Sequence, residues 1–192
     1  MNETIKLVIT GYLGAGKTTT IRTVTEIPMI STHVQNNNLS APIIHELSLS
    51  QDNKKVKNQS REDITTVTLD YGELTLETGQ ILKLYATAGH YRLDCISNTL
   101  TEQSIGLIIL VNNNGDDPIG DLARHIDHFF HLIQAHKVVI GVTHTDQAPL
   151  PKLQLYENYL KARDLALPLF SIDARSHNDV ILLIQTLLTT LK

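Results

Sequence analysis

Residues Gly11-Tyr12-Leu13-Gly14-Ala15-Gly16-Lys17-Thr18 form a complete G-x-x-x-x-G-K-[ST] run, directly after the apolar stretch Ile5-Lys6-Leu7-Val8-Ile9. That placement constrains the fold more than any other feature of the chain. A strand has to end, a glycine-rich turn has to expose its backbone N–H groups, and a helix has to begin with its positive dipole end aimed at the same spot. Such a corner takes phosphate. Lys17 can reach the β- and γ-phosphates of a nucleoside triphosphate, and the Thr18 hydroxyl can hold Mg²⁺.

The rest of the chain alternates in a way that suits this corner. Lys17 to Glu26 reads as the first helix, ending near Pro28. Residues 30–64 are polar and irregular, with Gln35-Asn36-Asn37-Asn38, Gln51-Asp52-Asn53-Lys54-Lys55 and Asn58-Gln59-Ser60. They predict a long loop or conditional disorder, with one short helix around Ile43 to Leu49. Val67, Leu69, Tyr71, Leu74 and Leu76 then alternate with polar residues as in a half-buried strand. Glu77-Thr78-Gly79-Gln80 reads as the hairpin turn into Ile81 to Ala86. Further β-type runs lie at Leu107 to Asn112, Lys137 to Thr143 and Pro168 to Ile172, separated by helical segments. Leu122, Ile126, Phe129, Phe130 and Ile133 make one helical apolar face, and Val180, Leu183, Ile184, Leu187 and Leu191 another. The expectation is a single α/β domain over residues 1–192, a three-layer phosphate-loop fold. Its mixed sheet has six strands, one of them antiparallel, flanked by about five helices.

Composition narrows the partners. A formal net charge of −4 gives no reason to expect nucleic acid or an anionic membrane surface as a partner. The single cysteine, Cys95, allows no intrachain disulfide, which suits a reducing, cytoplasmic setting. The longest apolar runs, such as Leu107 to Val111, are too short to span a bilayer. With no lipidation motif visible, no direct membrane anchor is expected. His125, His128 and His131 are spaced along a helix at i, i+3 and i+6, opposite the apolar positions, and read as a solvated polar face.

In open α/β sheets ligands sit beyond the carboxyl ends of the strands. The run after the fifth expected strand is Thr143-His144-Thr145-Asp146, and after the sixth it is Ser171-Ile172-Asp173-Ala174-Arg175. The Asp146 carboxylate can accept from N1–H and the N2 amine of guanine, a donor pair adenine lacks, and the Ala174 N–H can donate to guanine O6. Buried groups left unpaired by the wrong base would cost several kcal/mol. The plainer alternative for Asp146 is a turn or helix-capping aspartate.

The order and spacing of these runs resemble a Ras-like small GTPase over nearly the whole chain. Thr143-His144-Thr145-Asp146 resembles the [NT]-K-x-D base motif, and Asp173-Ala174-Arg175 the S-A-K motif. Thr66, four residues before Asp70, matches the switch I threonine, which makes 30–64 a long switch I region. Ala86-Thr87-Ala88-Gly89-His90 stands where D-x-x-G-Q stands in switch II. The stretch Thr65 to Leu74, with Gly141 to Asp146, resembles the bacterial GTP-binding proteins related to MglA. The resemblance implies that Gly11, Gly14, Ala15, Gly16, Lys17, Thr18 and Thr19 cradle phosphate. It implies that Thr18 and Thr66 hold Mg²⁺, and that Thr143, His144, Asp146, Asp173, Ala174 and Arg175 hold the base. Lys17, Thr66, Gly89 and His90 would carry hydrolysis. A Roadblock-type or other activating protein and an effector are the implied partners, in polarity, motility or surface signalling.

Four positions depart from that pattern. Ala86 replaces the acidic residue that holds Mg²⁺ through water, which predicts weaker metal binding. His90 replaces the glutamine that orients the attacking water. Leu13 stands where a bare glycine is usual beside the γ-phosphate. His144 replaces the lysine of the base motif. The reading is a GTP/GDP switch with slow, partner-assisted hydrolysis. The alternative is a pseudo-GTPase adaptor that holds nucleotide without turning it over.

Overall fold

Leu7, Val8 and Ile9 of β1 (Ile5–Gly11) are fully buried, so this strand has no solvent-facing side. It must therefore lie in the interior of a sheet covered on both faces. The computed structural model describes residues 5–36, 65–87, 105–135, 137–147 and 152–190. In chain order the remaining elements are α1 (Lys17–Val24), β2 (Ile30–Asn36), β3 (Thr65–Thr75), β4 (Ile81–Ala86) and β5 (Gly106–Asn112). Then come α2 (Pro118–His128), α3 (Phe130–Gln134), β6 (Val138–Thr143), α4 (Leu153–Ala162), β7 (Leu169–Ser171) and α5 (His177–Thr190).

The strands form one sheet in the order β2-β3-β4-β1-β5-β6-β7. Strand β1 pairs in parallel with β4 on one side and β5 on the other. Among the described residues only β3 runs against its neighbours, pairing antiparallel with both β2 and β4. Alternation along the strands sends side chains into two cores. Leu7, Ile9, Leu84, Ile108 and Leu110 pack with Ile21 of α1 and with Val180, Leu183 and Leu187 of α5. Val8, Ile109, Val111, Ile140 and Val142 pack on the opposite face with Leu122 and Ile126 of α2 and with Tyr156 and Leu160 of α4. The three layers and the single antiparallel strand match the expectation. Among the described residues, no helix is long and apolar enough to cross a membrane.

The sheet has seven strands rather than six. The extra one, β2, opens the stretch expected to be irregular. Its sequence, ISTHVQN, carries too few apolar residues to show a strand period. Its backbone is extended because β3 offers a ladder, with Ile30 opposite Tyr71 and Asn36 opposite Thr65. Being at the edge, it needs little apolar character of its own. The short helix expected near Ile43 to Leu49 and a helix between β4 and β5 lie outside the described residues.

Two further expectations are corrected. The helix carrying Leu122 to Ile133 breaks at Phe129, whose N–H caps α2 on the His125 carbonyl. Phe129 is fully buried, whereas Phe130 is 42% exposed and does not belong to the apolar face. His125 is buried too, with Nδ1 at 2.8 Å from the Asp121 carbonyl. That burial pushes its pKa down, so it is no part of a solvated face.

Strand β3 comes unusually close to α1, because position 72 is glycine. A Cβ there would lie 2.6 Å from Ile21 Cγ2 and 2.8 Å from Thr25 Oγ1. Beyond it, Thr25 Oγ1 accepts from the Glu73 N–H at 3.0 Å, and the Glu26 N–H donates to the Glu73 carbonyl at 2.8 Å. This staple holds the end of α1 onto β3. Gly72→Ala is therefore expected to destabilise the fold by about 1–3 kcal/mol in chemical denaturation. A loss under about 0.5 kcal/mol would show that the helix and strand are not held at this distance.

Candidate functional site

The corner after β1 forms as the sequence requires. Gly16, the N-cap of α1, has φ +89, and a Cβ there would stand 3.0 Å from Ala174 Cβ. Gly11 has φ +151, and a Cβ there would strike the Leu110 carbonyl oxygen at 2.2 Å. Glycine thus permits both the turn and the close passage of β5. Lys17 is buried under the loop, with Nζ donating to the Gly11 carbonyl at 2.8 Å and the Tyr12 carbonyl at 2.9 Å. Burial pulls its pKa down from 10.5 to about 8, against the opposing pull of the Asp70 charge. An incoming phosphate would add negative charge beside this buried ammonium.

Position 86 carries no acidic residue, but a carboxylate stands beside it on the neighbouring strand. Ala86 is buried at the end of β4 and is the register partner of Asp70 on β3. Asp70 is 6% exposed, and it accepts from Thr18 Oγ1 on Oδ2 at 2.5 Å and from Ser31 Oγ on Oδ1 at 2.6 Å. The weaker metal binding expected from Ala86 alone did not count this carboxylate. A Thr18 hydroxyl beside an Asp70 carboxylate is a hard oxygen pair, the donor chemistry that suits Mg²⁺ shared with phosphate oxygens. The signal in the sequence was the spacing Asp70-Tyr71-Gly72. It puts Asp70 on the same strand face as the glycine that admits α1.

Thr66 falls in the β2–β3 ladder opposite Gln35. Four residues of strand separate it from Asp70, about 13 Å at 3.3 Å per residue. Gly89 and His90 lie outside the described residues. Leu13 is 61% exposed on the phosphate loop.

The base-side residues come together. Gly16, Thr19, Thr143, His144, Asp146, Asp173, Ala174 and Arg175 all line one cavity of about 120 Å³ that reaches from the start of α1 to the ends of β6 and β7. Gln147, not anticipated from the sequence, lines it too. Buried Thr143 ties this end to the phosphate loop: its Oγ1 lies 3.1 Å from the Val111 carbonyl and 3.3 Å from the Ala15 carbonyl. His144 Nδ1 lies 2.9 Å from the same hydroxyl. Thr23 Oγ1 holds the Ala174 carbonyl at 2.8 Å. The Arg175 guanidinium grips Asp173 at 2.8–3.2 Å and reaches to 3.9 Å from Asp146. It holds the Asp173 carboxyl down at about 2. Asp146 lies in the turn after β6 and is exposed at the cavity edge.

Residues 5–109, more than half of the 192-residue chain, match the family model described as CobW/HypB/UreG, nucleotide-binding domain. No curated protein matches the chain in sequence. Among solved structures it is similar to the G domain of the T. maritima FeoB iron transporter. The TM-score is 0.59 at 12% identity, over 99% of this chain and 100% of that one. At such identity the likeness is one of fold.

Lys17 makes stability pH-dependent in a definite direction. Below about pH 8 it is protonated in both folded and unfolded chains, and the cost of its burial is fully present. Between about 8 and 10.5 the folded chain sheds the proton first, so stability rises with pH. Urea unfolding of the nucleotide-free protein should show this rise relative to Lys17→Met. Parallel pH profiles for the two would contradict the burial of a charged Lys17.

Proposed function

The chain belongs to the CobW/HypB/UreG nucleotide-binding domain family, and from that premise we propose that it is a guanine-selective GTP/GDP switch with slow, partner-assisted hydrolysis. The observation that carries this is the single cavity joining the phosphate corner at Gly16 and Thr19 to Asp146 and Ala174. A nucleotide laid along it would place phosphate on the α1 N-terminus and base on the donor–acceptor pair that guanine satisfies.

Each part then has a role. Gly11, Gly14, Ala15, Gly16 and Lys17 bind the phosphates through N–H groups and the ammonium. Thr18 and Asp70 would hold Mg²⁺, which when bound neutralises phosphate charge. Asp146 and the Ala174 N–H read the guanine edge, while Thr143 fixes the distance between the base and phosphate ends. The chain positions and neutralises, which accounts for binding more readily than for fast turnover. Gly89 and His90 remain the proposed links between the γ-phosphate and the segment after β4. Thr66 would join Thr18 at the metal. A Roadblock-type or other activating protein, an effector, and a cytoplasmic role in polarity, motility or surface signalling extend the likeness to MglA-related proteins. One observation favours the second reading, a non-hydrolysing adaptor: Leu13 is exposed at the loop, where it would crowd an attacking water or a partner's arginine.

Equilibrium binding tests the base argument. GTP and GDP should bind at least about 100-fold tighter than ATP, and Asp146→Asn should move preference towards xanthine nucleotides. Equal affinity for ATP would overturn guanine selectivity. Single-turnover assays separate the two readings, since tight GTP binding with no phosphate release, even with cell extract added, favours the adaptor.

A further inference from the structure

We propose that Ser31 is a positioning residue for the metal-binding carboxylate, and that through it the edge strand β2 is coupled to Mg²⁺ occupancy. The inference rests on the reading of Asp70 as that carboxylate and goes beyond it.

Three strands meet at this point in register: Ser31 on β2, Asp70 on β3 and Ala86 on β4. The two oxygens of Asp70 are claimed from opposite sides, Oδ2 by Thr18 and Oδ1 by Ser31. One hydrogen bond leaves a carboxylate free to turn about its terminal torsion, whereas two bonds on different oxygens fix its plane. A Thr18 hydroxyl that ligates Mg²⁺ through a lone pair still has its proton to donate to Asp70 Oδ2. Ser31 donates to Oδ1 and supplies the second bond, which keeps the carboxylate plane fixed with Oδ2 at the start of α1. Partners that orient a ligating carboxylate in this way commonly govern metal affinity as strongly as the ligands do.

Ser31 brings its strand with it. Among the described residues, strand β2 is the outermost of the sheet and pairs with β3 alone, so its detachment breaks no other described ladder. Detachment would remove the Ser31 donor and loosen Asp70, and metal affinity would fall. By linkage, bound Mg²⁺ must hold β2 in place by the same factor. The edge strand thereby senses the metal, and any partner that pulls β2 away would promote release of metal and nucleotide.

The test uses the full chain loaded with a fluorescent GDP analogue, with analogue release followed across a MgCl₂ titration and amide exchange of residues 30–36 followed in parallel. Ser31→Ala should raise the half-effective Mg²⁺ concentration about tenfold or more. Ser31→Thr, which keeps the hydroxyl, should stay within about threefold of the unmodified chain. Exchange in β2 should slow on adding Mg²⁺ in the unmodified chain and not in Ser31→Ala. The proposal is overturned if Ser31→Ala titrates like the unmodified chain while Asp70→Asn loses the Mg²⁺ effect, an outcome that leaves the reading of Asp70 standing. It is overturned as well if Ser31→Ala speeds release equally in Mg²⁺ and in EDTA, which marks a general packing role. Retention of the full Mg²⁺ effect in Asp70→Asn would remove the reading of Asp70 and, with it, this inference.

Discussion

Asp70 is a buried carboxylate on an interior strand, and a carboxylate there is costly unless its oxygens are met. The hydroxyl of Thr18 meets one of them at 2.5 Å, from the first turn of the helix that begins at the phosphate loop. Much else follows from that bond. It requires α1 to lie hard against β3, which is possible because Gly72 has no Cβ to strike Ile21. It brings negative charge near Lys17, which burial would otherwise drive further towards its neutral form. It also ties the loop that would receive phosphate to the strand pair that leads out to β2. A buried Lys17 and a buried Asp70 are each unfavourable alone and tolerable as neighbours with hydrogen-bond partners.

The far end of the cavity obeys a similar constraint of distance. Gly16 and Ala174 approach so closely that a Cβ on the glycine would lie 3.0 Å from the alanine methyl. Thr143 adds a second tie by reaching the Ala15 carbonyl. The phosphate corner and the loops after β6 and β7 are therefore in direct contact. Asp173 stands at the serine of the S-A-K pattern and Arg175 at the lysine, and the Arg175 guanidinium lies between Asp173 and Asp146.

How much of this could be read in the chain depended on range. The phosphate corner and the strands around it were legible because their signals are local: an apolar run, then glycines, then a lysine at fixed spacing. The base-side residues were legible because they follow strand ends. Strand β2 was not, because an edge strand in a polar stretch takes its conformation from a partner strand 29 to 41 residues away. Asp70 was visible as a residue and invisible as a site. Its meaning comes from standing beside Ala86 across the β3–β4 ladder, and register between strands is not written in either strand alone. His125 was misread for a related reason: a helix wheel separates apolar from polar positions, but a histidine bonded to the Asp121 carbonyl can be packed inside.

The central claim is that the carboxylate absent at position 86 has moved one strand across, to position 70. The direct measurement is the ratio of GDP dissociation constants in EDTA and in Mg²⁺. In Asp70→Ala this ratio should fall by about tenfold or more. In the double variant Asp70→Ala/Ala86→Asp, which returns a carboxylate to the neighbouring strand, it should largely recover. An Asp70→Ala protein that keeps the full Mg²⁺ dependence would contradict the account.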